Sequence, residues 1–197
     1  MRENRRDGLG KREEMWDISV EPHVLDLFTV PFLATSEEQK LLEQFRLEVD
    51  KRYQTGLIIW RFQPVHYGHI FLIKQALEIT HSIIIGIGSS NERNADNPWS
   101  IEQREQRLAR VVDALAIKER VFKIVRLSDY MNDDLWLEET LRKTGDVDVV
   151  VGNNDWVNSI FARANYPVIT TPFYHRDMFE GRRIREYLRF LQPTLLK

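Results

Sequence analysis

The stretch WRFQPVHYGH, residues 60–69, continues an apolar run that starts at Gly56 and then enters a helical pattern. Two histidines, His66 and His69, stand three residues apart around Gly68, where the strand-like run gives way to the helix. The N-terminus of a helix that follows a strand presents free backbone N–H groups, and these favour an anion. The stretch therefore predicts an anion-binding turn between a first strand and a first helix.

Beyond this turn, short apolar runs alternate with helical segments. The runs rich in Val and Ile lie at residues 57–60, 83–87, 121–126, 147–151 and 167–170. The helical patterns lie near 68–80, 100–118, 133–144, 155–165 and 181–191. Nearly continuous apolar runs indicate strands that are buried on both faces. Their alternation with helices predicts an α/β fold: a doubly wound, mostly parallel five-stranded sheet with helices on both faces.

The first part of the chain, residues 1–55, is predicted to be an N-terminal extension of an α/β domain that occupies residues 56–197. Residues 1–14 are charged, and we expect them to form a flexible arm. Ser36 and Gln39 have the spacing of a capping box, with Ser36 as the N-cap. Apolar residues then recur every four positions, at Leu41, Phe45 and Val49. The pattern predicts a helix that packs on the α/β domain or on a partner chain.

Composition limits the possible functions. The chain has 197 residues with 28 Lys and Arg against 30 Asp and Glu, a formal net charge of −2, which argues against a nucleic-acid-binding protein. It has no cysteine, so disulfides, thiolate nucleophiles and Cys-based zinc sites are excluded. No apolar run approaches the roughly 20 residues that span a bilayer, and the N-terminus lacks the apolar segment of a signal peptide. These features predict a cytoplasmic protein with no membrane partner.

In open parallel sheets, ligands bind outside the carboxyl ends of the strands. This rule selects the turns at residues 61–69, 88–99, 127–136, 152–156 and 171–185. A metal site at the two histidines is an alternative, but no third ligand lies nearby in the sequence and zinc requires three or four. The chain contains no P-loop pattern, and GIGSSN at 86–91 lacks the third glycine of a dinucleotide-binding fingerprint.

WRFQPVHYGH resembles the signature GRFQPVHxGH of archaeal-type nicotinamide-nucleotide adenylyltransferases, with Trp60 in place of a glycine. These enzymes belong to the nucleotidyltransferase superfamily that is named for its H-x-G-H turn. Other segments resemble the family in the same order: IIIGIGSSNERNADNPWSIEQRE at 83–105, LW at 135–136 and VVVGNN at 149–154. The resemblance covers about residues 56–190.

The segment FEGRRIREYL, 179–188, departs from the family's Ser-Gly-Thr-x-x-x-Arg pattern. Gly181 and Arg185 fit, whereas Glu180 takes the place of the serine and Arg182 that of the threonine. Glu180 is expected to repel a phosphate unless it turns away or binds magnesium, and Arg182 could replace a hydroxyl as a stronger donor. The alternative is that this basic segment is an ordinary solvated face.

The resemblance implies that a phosphorylated nucleoside, nicotinamide mononucleotide, attacks the α-phosphorus of ATP with Mg²⁺ present, giving NAD and pyrophosphate. It also implies a homo-oligomer. The residues expected to carry catalysis are His66, His69, Arg61 and Arg185. Those expected to bind ATP or the acceptor are Phe62, Gln63, Gly68, Asn97, Arg104, Trp136, Gly152, Asn153, Gly181 and Arg182.

Several of these roles have alternatives. Trp136 is expected to stack on the nicotinamide ring, but a core aromatic residue would show the same helical spacing. The turn chemistry recognises phosphates alone, so a related nucleotidyltransferase that acts on another phosphorylated acceptor remains open. A non-catalytic nucleotide-binding regulator is a third possibility, because of the altered segment at 180–182.

Overall fold

The computed structural model describes Leu25, Phe28 and residues 35–195 of the chain. The predicted flexible arm, residues 1–14, lies outside the described residues. Residues 35–195 form six α-helices, five strands and one short 3₁₀ helix. In chain order these are α1 (Ser36–Glu48), β1 (Tyr53–Trp60), α2 (Tyr67–Ile79), β2 (Thr80–Ile87), α3 (Ile101–Ala114), the 3₁₀ helix (Lys118–Arg120), β3 (Val121–Arg126), α4 (Asp133–Thr144), β4 (Val149–Gly152), α5 (Asp155–Arg163), β5 (Val168–Thr170) and α6 (Gly181–Leu195).

The five strands form one parallel sheet in the order β3-β2-β1-β4-β5. The predicted doubly wound α/β fold is therefore confirmed. The chain builds outward from β1 in one direction through β2 and β3, and then in the other direction through β4 and β5. The helices that follow β1 and β4 lie on opposite faces of the sheet, so a crevice opens between these two strands. Crevices at such points bind ligands. The turn with the two histidines follows β1 directly and so lies at this crevice.

The sheet is buried on both faces, as the apolar runs predicted. Alternate residues of β1 enter different clusters: Ile58 packs with α2 and α3 on one face, while Leu57 and Ile59 pack with α4 and α5 on the other. This alternation is the ordinary period of two in a strand. Both faces therefore hold the strand ends in fixed positions. No helix in the described part of the chain is long and apolar enough to cross a membrane.

The predicted N-terminal helix forms and packs on the α/β domain. Phe45 is buried in the same cluster as the residues of α2, and Leu41 and Val49 pack against that cluster. The predicted N-cap was wrong by one residue. Thr35 is the N-cap, and its hydroxyl accepts a hydrogen bond from the Glu38 backbone N–H at 3.1 Å, because the capping spacing is met from Thr35 to Glu38.

Candidate active site

The two histidines of the first turn are held together as a stacked pair. His66 is the N-cap of α2, and the ring centroids of His66 and His69 are 3.7 Å apart. The Nδ1 atom of His69 accepts a hydrogen bond from the His66 backbone N–H at 3.3 Å. Since Nδ1 acts as an acceptor, the proton of a neutral His69 ring resides on Nε2, which can then donate to a ligand.

Both histidines are neutral in the folded protein. Burial, together with the nearby charge of Arg185, lowers the pKa of His66 to about 3. Burial, and then the neighbouring His66, lowers the pKa of His69 well below its usual value. The Nδ1 atom of His66 is buried and has no hydrogen-bond partner among the described residues. The pair therefore offers neutral hydrogen-bonding groups that an oxygen-rich ligand could engage.

Two glycines allow the start of α6 to approach the first turn. A Cβ atom at Gly68 would lie 3.1 Å from the His66 ring and 3.3 Å from the Phe179 carbonyl oxygen. A Cβ atom at Gly181 would lie 3.0 Å from the Gln63 carbonyl oxygen. All three distances are shorter than ordinary van der Waals contact, so larger residues would push the two segments apart.

Arg185 joins α6 to the first turn. Its Nη1 atom donates to the Gln63 carbonyl at 2.7 Å, and its Nη2 atom donates to Asp96 at 3.3 Å. Burial, and then the charge of Arg61, lowers the pKa of Arg185. Arg61 and Arg185 therefore lie close enough to repel each other, and an anion between them would relieve that repulsion.

The Gln63 side chain connects the first turn to the loop at 88–99. Its Nε2 atom donates to the Trp99 carbonyl at 3.0 Å, and its Oε1 atom accepts from the Trp99 backbone N–H at 3.1 Å. Trp99 is itself buried with Leu25, Ile184 and Leu188. Both polar ends of the Gln63 amide are thus used within the protein, so its contribution to the site is to hold the turn in place.

A cavity of about 410 Å³ opens between the first turn and the start of α6, and we call it the turn cavity. Its volume is within the range of small-molecule sites. Most of the predicted site residues line it together: Arg61, Phe62, Gln63, His66, Gly68, His69, Asn153, Gly181, Arg182 and Arg185. The Oδ1 atom of Asn153 is buried without a partner among the described residues.

A second cavity of about 420 Å³ adjoins the first, and we call it the tryptophan cavity because Trp60, Trp136 and Trp156 line it. Four residues line both cavities: Trp60, Arg61, Asn154 and Trp156. The tryptophan cavity is otherwise bounded by the ends of β1 and β2 and by the loop that carries Asp129 and Tyr130. The two cavities therefore form neighbouring compartments with a common wall.

Arg104, predicted to clamp phosphates, lines neither cavity. It is fully buried, and its Nη1 atom donates to the carbonyls of Arg61 at 3.0 Å and Gly88 at 2.8 Å. Its Nη2 atom donates to the Ser89 carbonyl at 3.1 Å. The guanidinium thus connects the chain segments that follow β1 and β2. In the structure Arg104 makes these backbone contacts and lies away from both cavities, where the predicted phosphate contact would be.

Trp136 is a core residue in the structure. It is 1% exposed, and its ring packs against Trp156 at 4.8 Å and Phe161 at 6.1 Å. Trp156, which lies above it, is 43% exposed in the shared wall of the two cavities. The predicted stacking on a ligand therefore fits Trp156 better than Trp136. The sequence contained this signal, because Trp156 ends one of the turns selected by the parallel-sheet rule.

Asn97 and Gly152 also lie outside both cavity linings. The Asn97 side chain donates to Asn94 at 3.1 Å within its own loop. Gly152 ends β4, and its carbonyl accepts from the Asn158 side chain at 3.1 Å. These residues shape the loops around the cavities. Tyr174 and Arg176 line the turn cavity without having been predicted, since no motif distinguished them within the long turn at 171–185.

The altered residues at the start of α6 form ion pairs along the helix. The Glu180 carboxylate is 3.2 Å from Arg183, and the Arg182 Nε atom is 3.0 Å from Glu186. The Arg182 side chain is 75% exposed, yet it lines the turn cavity. The charge of Glu180 is therefore partly neutralised by Arg183, a pairing that the sequence analysis did not predict.

Comparison with known proteins agrees with this geometry. The model of the cytidylyltransferase-like family matches residues 58–181. A nicotinamide-nucleotide adenylyltransferase from Archaeoglobus fulgidus is 34% identical over 135 residues, which cover 66% of this chain and 77% of that protein. The corresponding protein from Thermoplasma acidophilum is 32% identical over 139 residues, 69% of this chain and 75% of the other.

Solved structures give the same result. A bifunctional NMN adenylyltransferase/ADP ribose pyrophosphatase from Francisella tularensis superposes with a TM-score of 0.62 at 28% identity, over 68% of this chain and 42% of that one. A structure of a bifunctional protein of the same description and organism, complexed with AMP and a manganese ion, gives a TM-score of 0.55. This chain spans less than half the length of those bifunctional proteins. Nevertheless, the family match and the archaeal relatives show that the chain belongs to the cytidylyltransferase-like family of nucleotidyltransferases, and they confirm its resemblance to the nicotinamide-nucleotide adenylyltransferases.

Proposed function

We propose that this protein transfers AMP from ATP to nicotinamide mononucleotide, giving NAD and pyrophosphate. The observation that carries the proposal is the pair of cavities that meet at Arg61, outside the carboxyl ends of β1, β2 and β4. A reaction between two nucleotides requires two neighbouring compartments, with the reacting phosphates at their junction. The names of the archaeal relatives support the choice of substrates.

The turn cavity is the compartment that suits ATP. His69, the start of α6 and Arg185 all line it. Neutral histidine donors avoid the desolvation cost of buried cations, while Arg185 supplies a fixed charge. Because the first turn is already assembled, these groups need no reorganisation when charge develops on the phosphates.

The tryptophan cavity is the compartment that suits the acceptor. Trp156 presents an exposed aromatic surface there, on which a nicotinamide ring could stack. Asp129 and Ser89 supply polar groups near the strand ends. With the acceptor in this cavity, its phosphate would lie toward Arg61, in the shared wall.

The reaction requires alignment more than acid–base chemistry. An oxygen of the acceptor's phosphate forms a bond to the α-phosphorus of ATP, and the bond from that phosphorus to the bridging oxygen breaks, releasing pyrophosphate. The attacking phosphate is already an anion, so no protein base is needed. The neutral state of the two histidines fits this, because their task is to hold and stabilise charged oxygens.

Magnesium would enter as part of the ATP complex. Within the described residues, no group of three or more His, Asp or Glu side chains is placed to hold a metal ion. Mg²⁺ commonly binds through substrate phosphates and water with few protein ligands. A ready-made protein cage is therefore not required, and Mg²⁺ supplies charge neutralisation on the leaving pyrophosphate.

The test is a panel of phosphorylated acceptors, each incubated with ATP and Mg²⁺ and scored by pyrophosphate release. We expect nicotinamide mononucleotide to give the highest kcat/KM and NAD to be the product by mass spectrometry. Activity with a different acceptor alone would identify a related nucleotidyltransferase. Nucleotide binding without pyrophosphate release from any acceptor would identify a regulator.

The homo-oligomer, the cytoplasmic location and the domain boundary at residue 56 also stay predictions from the sequence. Sedimentation of the full-length chain measures the first. Imaging of the tagged protein in its cell measures the second. Limited proteolysis measures the third, and the packing of Phe45 into the domain core predicts that the α1 helix is protected.

A further inference from the structure

The helix α1, which precedes the family match at residues 58–181, buries a carboxylate against the helix that carries the two histidines. Glu38 is fully buried, and its Oε2 atom accepts a hydrogen bond from the Tyr67 hydroxyl at 2.6 Å. Its Oε1 atom is 2.5 Å from Lys74 of α2. A buried carboxylate is costly unless such partners are present. The contact therefore ties α1 to α2 at one defined register.

Tyr67 connects this contact to the turn cavity. It is the first residue of α2, between His66 and Gly68. Its ring centroid lies 5.6 Å from those of Tyr174 and Phe179, both of which line the turn cavity. The hydroxyl is anchored to α1 and the ring supports the cavity wall. A shift of this one side chain would therefore move the wall as well as the helix start.

We propose that Glu38 and Tyr67 are positioning residues for the nucleotide, so that α1 sets the wall of the turn cavity through the Glu38–Tyr67 hydrogen bond. This inference rests on the proposed function in one respect, namely that the turn cavity holds ATP. Neither residue touches the substrate. Both act through Tyr174 and Phe179, and the effect is expected on ATP and not on the acceptor, whose cavity contains none of these residues.

The experiment compares Tyr67→Phe, Glu38→Gln and the double variant with the exposed control Glu43→Gln on the same helix. For each we would measure thermal unfolding, the KM of ATP-Mg²⁺ and of nicotinamide mononucleotide, kcat, and the Kd of a non-hydrolysable ATP analogue by calorimetry. Tyr67→Phe keeps the ring and removes only the hydroxyl. Should Glu38→Gln fail to fold, the Tyr67→Phe variant decides the matter by itself.

We expect both single variants to raise the KM of ATP-Mg²⁺ and the Kd of the ATP analogue on the order of tenfold. This is within the range seen when groups away from the chemistry are misplaced. The KM of the mononucleotide should stay unchanged in these variants. The control Glu43→Gln should keep the wild-type constants for both substrates. The double variant should be no worse than Glu38→Gln alone, because both changes weaken the Glu38–Tyr67 contact and only Glu38→Gln also removes the charge that pairs with Lys74. A lower melting temperature with unchanged nucleotide constants would overturn the inference and leave a purely structural contact.

The analogue titration separates this inference from the proposed function. If the wild-type chain releases no pyrophosphate with any acceptor, the proposed function fails, and the Kd values still test the positioning role. If the wild-type chain turns over normally and the variants bind the analogue as it does, the positioning role fails while the proposed function stands.

Discussion

The two sides of the turn cavity are built in opposite ways. The first turn, residues 61–69, is mostly buried, and its histidines are neutral and fixed by a backbone hydrogen bond. The segment 179–185, at the start of α6, is only partly buried: Arg182 and Arg183 are exposed, and their charges pair with nearby glutamates. Arg185 is the exception, since it is buried and donates to the first turn.

This difference indicates a division of labour. A buried, preorganised donor is worth far more than an exposed charge, because water and salt screen the latter. The first turn should therefore determine turnover, while the exposed part of α6 should tune affinity. It also explains how the family pattern at 180–182 could change without loss of the cavity: the altered residues lie on the side where single charges contribute least.

The largest effect is expected from His69→Ala. It should lower kcat by about 10²-fold or more, the range for losing one preorganised donor, while the fold is retained. The matched control is His81→Ala. His81 is exposed and is the second residue of β2, so it lies at the amino ends of the strands, away from the site. Steady-state kinetics with saturating substrates measures both. A turnover near the wild-type value in His69→Ala would remove the first turn from the mechanism and end the contrast.

Trp156 gives the tryptophan cavity a wall that is partly exposed and uncharged. Trp156→Ala should weaken binding of the mononucleotide by roughly 1–3 kcal/mol, the worth of an aromatic stacked on a base. It should weaken ATP binding less, because Trp156 lies in the wall shared with the turn cavity. Trp136→Ala should instead lower the free energy of unfolding by about 3–5 kcal/mol, as for other buried aromatic residues. Calorimetry and urea unfolding on both variants separate the two roles. Loss of acceptor binding in a fully stable Trp136→Ala protein would restore the original prediction for that residue.

Arg182 tests the exposed side directly. Arg182→Glu should weaken ATP binding by about tenfold, or about 1.4 kcal/mol, because it places a second carboxylate next to Glu180. Arg182→Thr, which restores the family residue, should change it by less than about threefold. The control is Arg142→Glu, an exposed arginine that is likewise paired within its own helix, α4. Indistinguishable ATP affinities in all of these variants would mean that Arg182 is an ordinary solvated residue.

The sequence predicted the elements that have a strong local signal. The apolar runs predicted the parallel sheet, and the sheet rule predicted which turns would meet. The turn at residues 60–69 therefore indicated where the turn cavity lies, and most of the predicted site residues line it. The roles of individual side chains were less accessible, because they depend on contacts between distant residues.

Arg104 and Trp136 show why some predicted roles do not match the contacts that the structure gives these residues. Arg104 follows a loop that approaches the site, so its charge suggested a phosphate contact, but three carbonyls converge on it from two strand ends. Trp136 packs inward from α4 onto Phe161, whereas Trp156 is partly exposed. Trp156 is therefore the better placed of the two to stack on a ligand. The convergence of carbonyls on Arg104 and the packing of α4 against α5 are tertiary contacts. The spacing of residues within one segment does not reveal them.

The last prediction concerns the pH dependence of stability and not ligand binding. His66 has its pKa lowered to about 3 in the folded protein, against about 6.5 for an unfolded chain. Between these values the unfolded state binds more protons, so the free energy of unfolding rises with pH. The stability that the neutral His66 contributes is therefore complete above about pH 6.5 and is lost progressively as the pH falls toward 3, by at most about 1.4 kcal/mol per pH unit.

Urea unfolding of the wild-type chain at several pH values between 4 and 7 measures this slope. His66→Gln should flatten it, because glutamine does not titrate, whereas His81→Gln at the exposed start of β2 should leave it as it is. If His66→Gln keeps the wild-type slope, the first turn is more open to water than its burial indicates, and the contrast between the two sides of the cavity becomes one of charge alone.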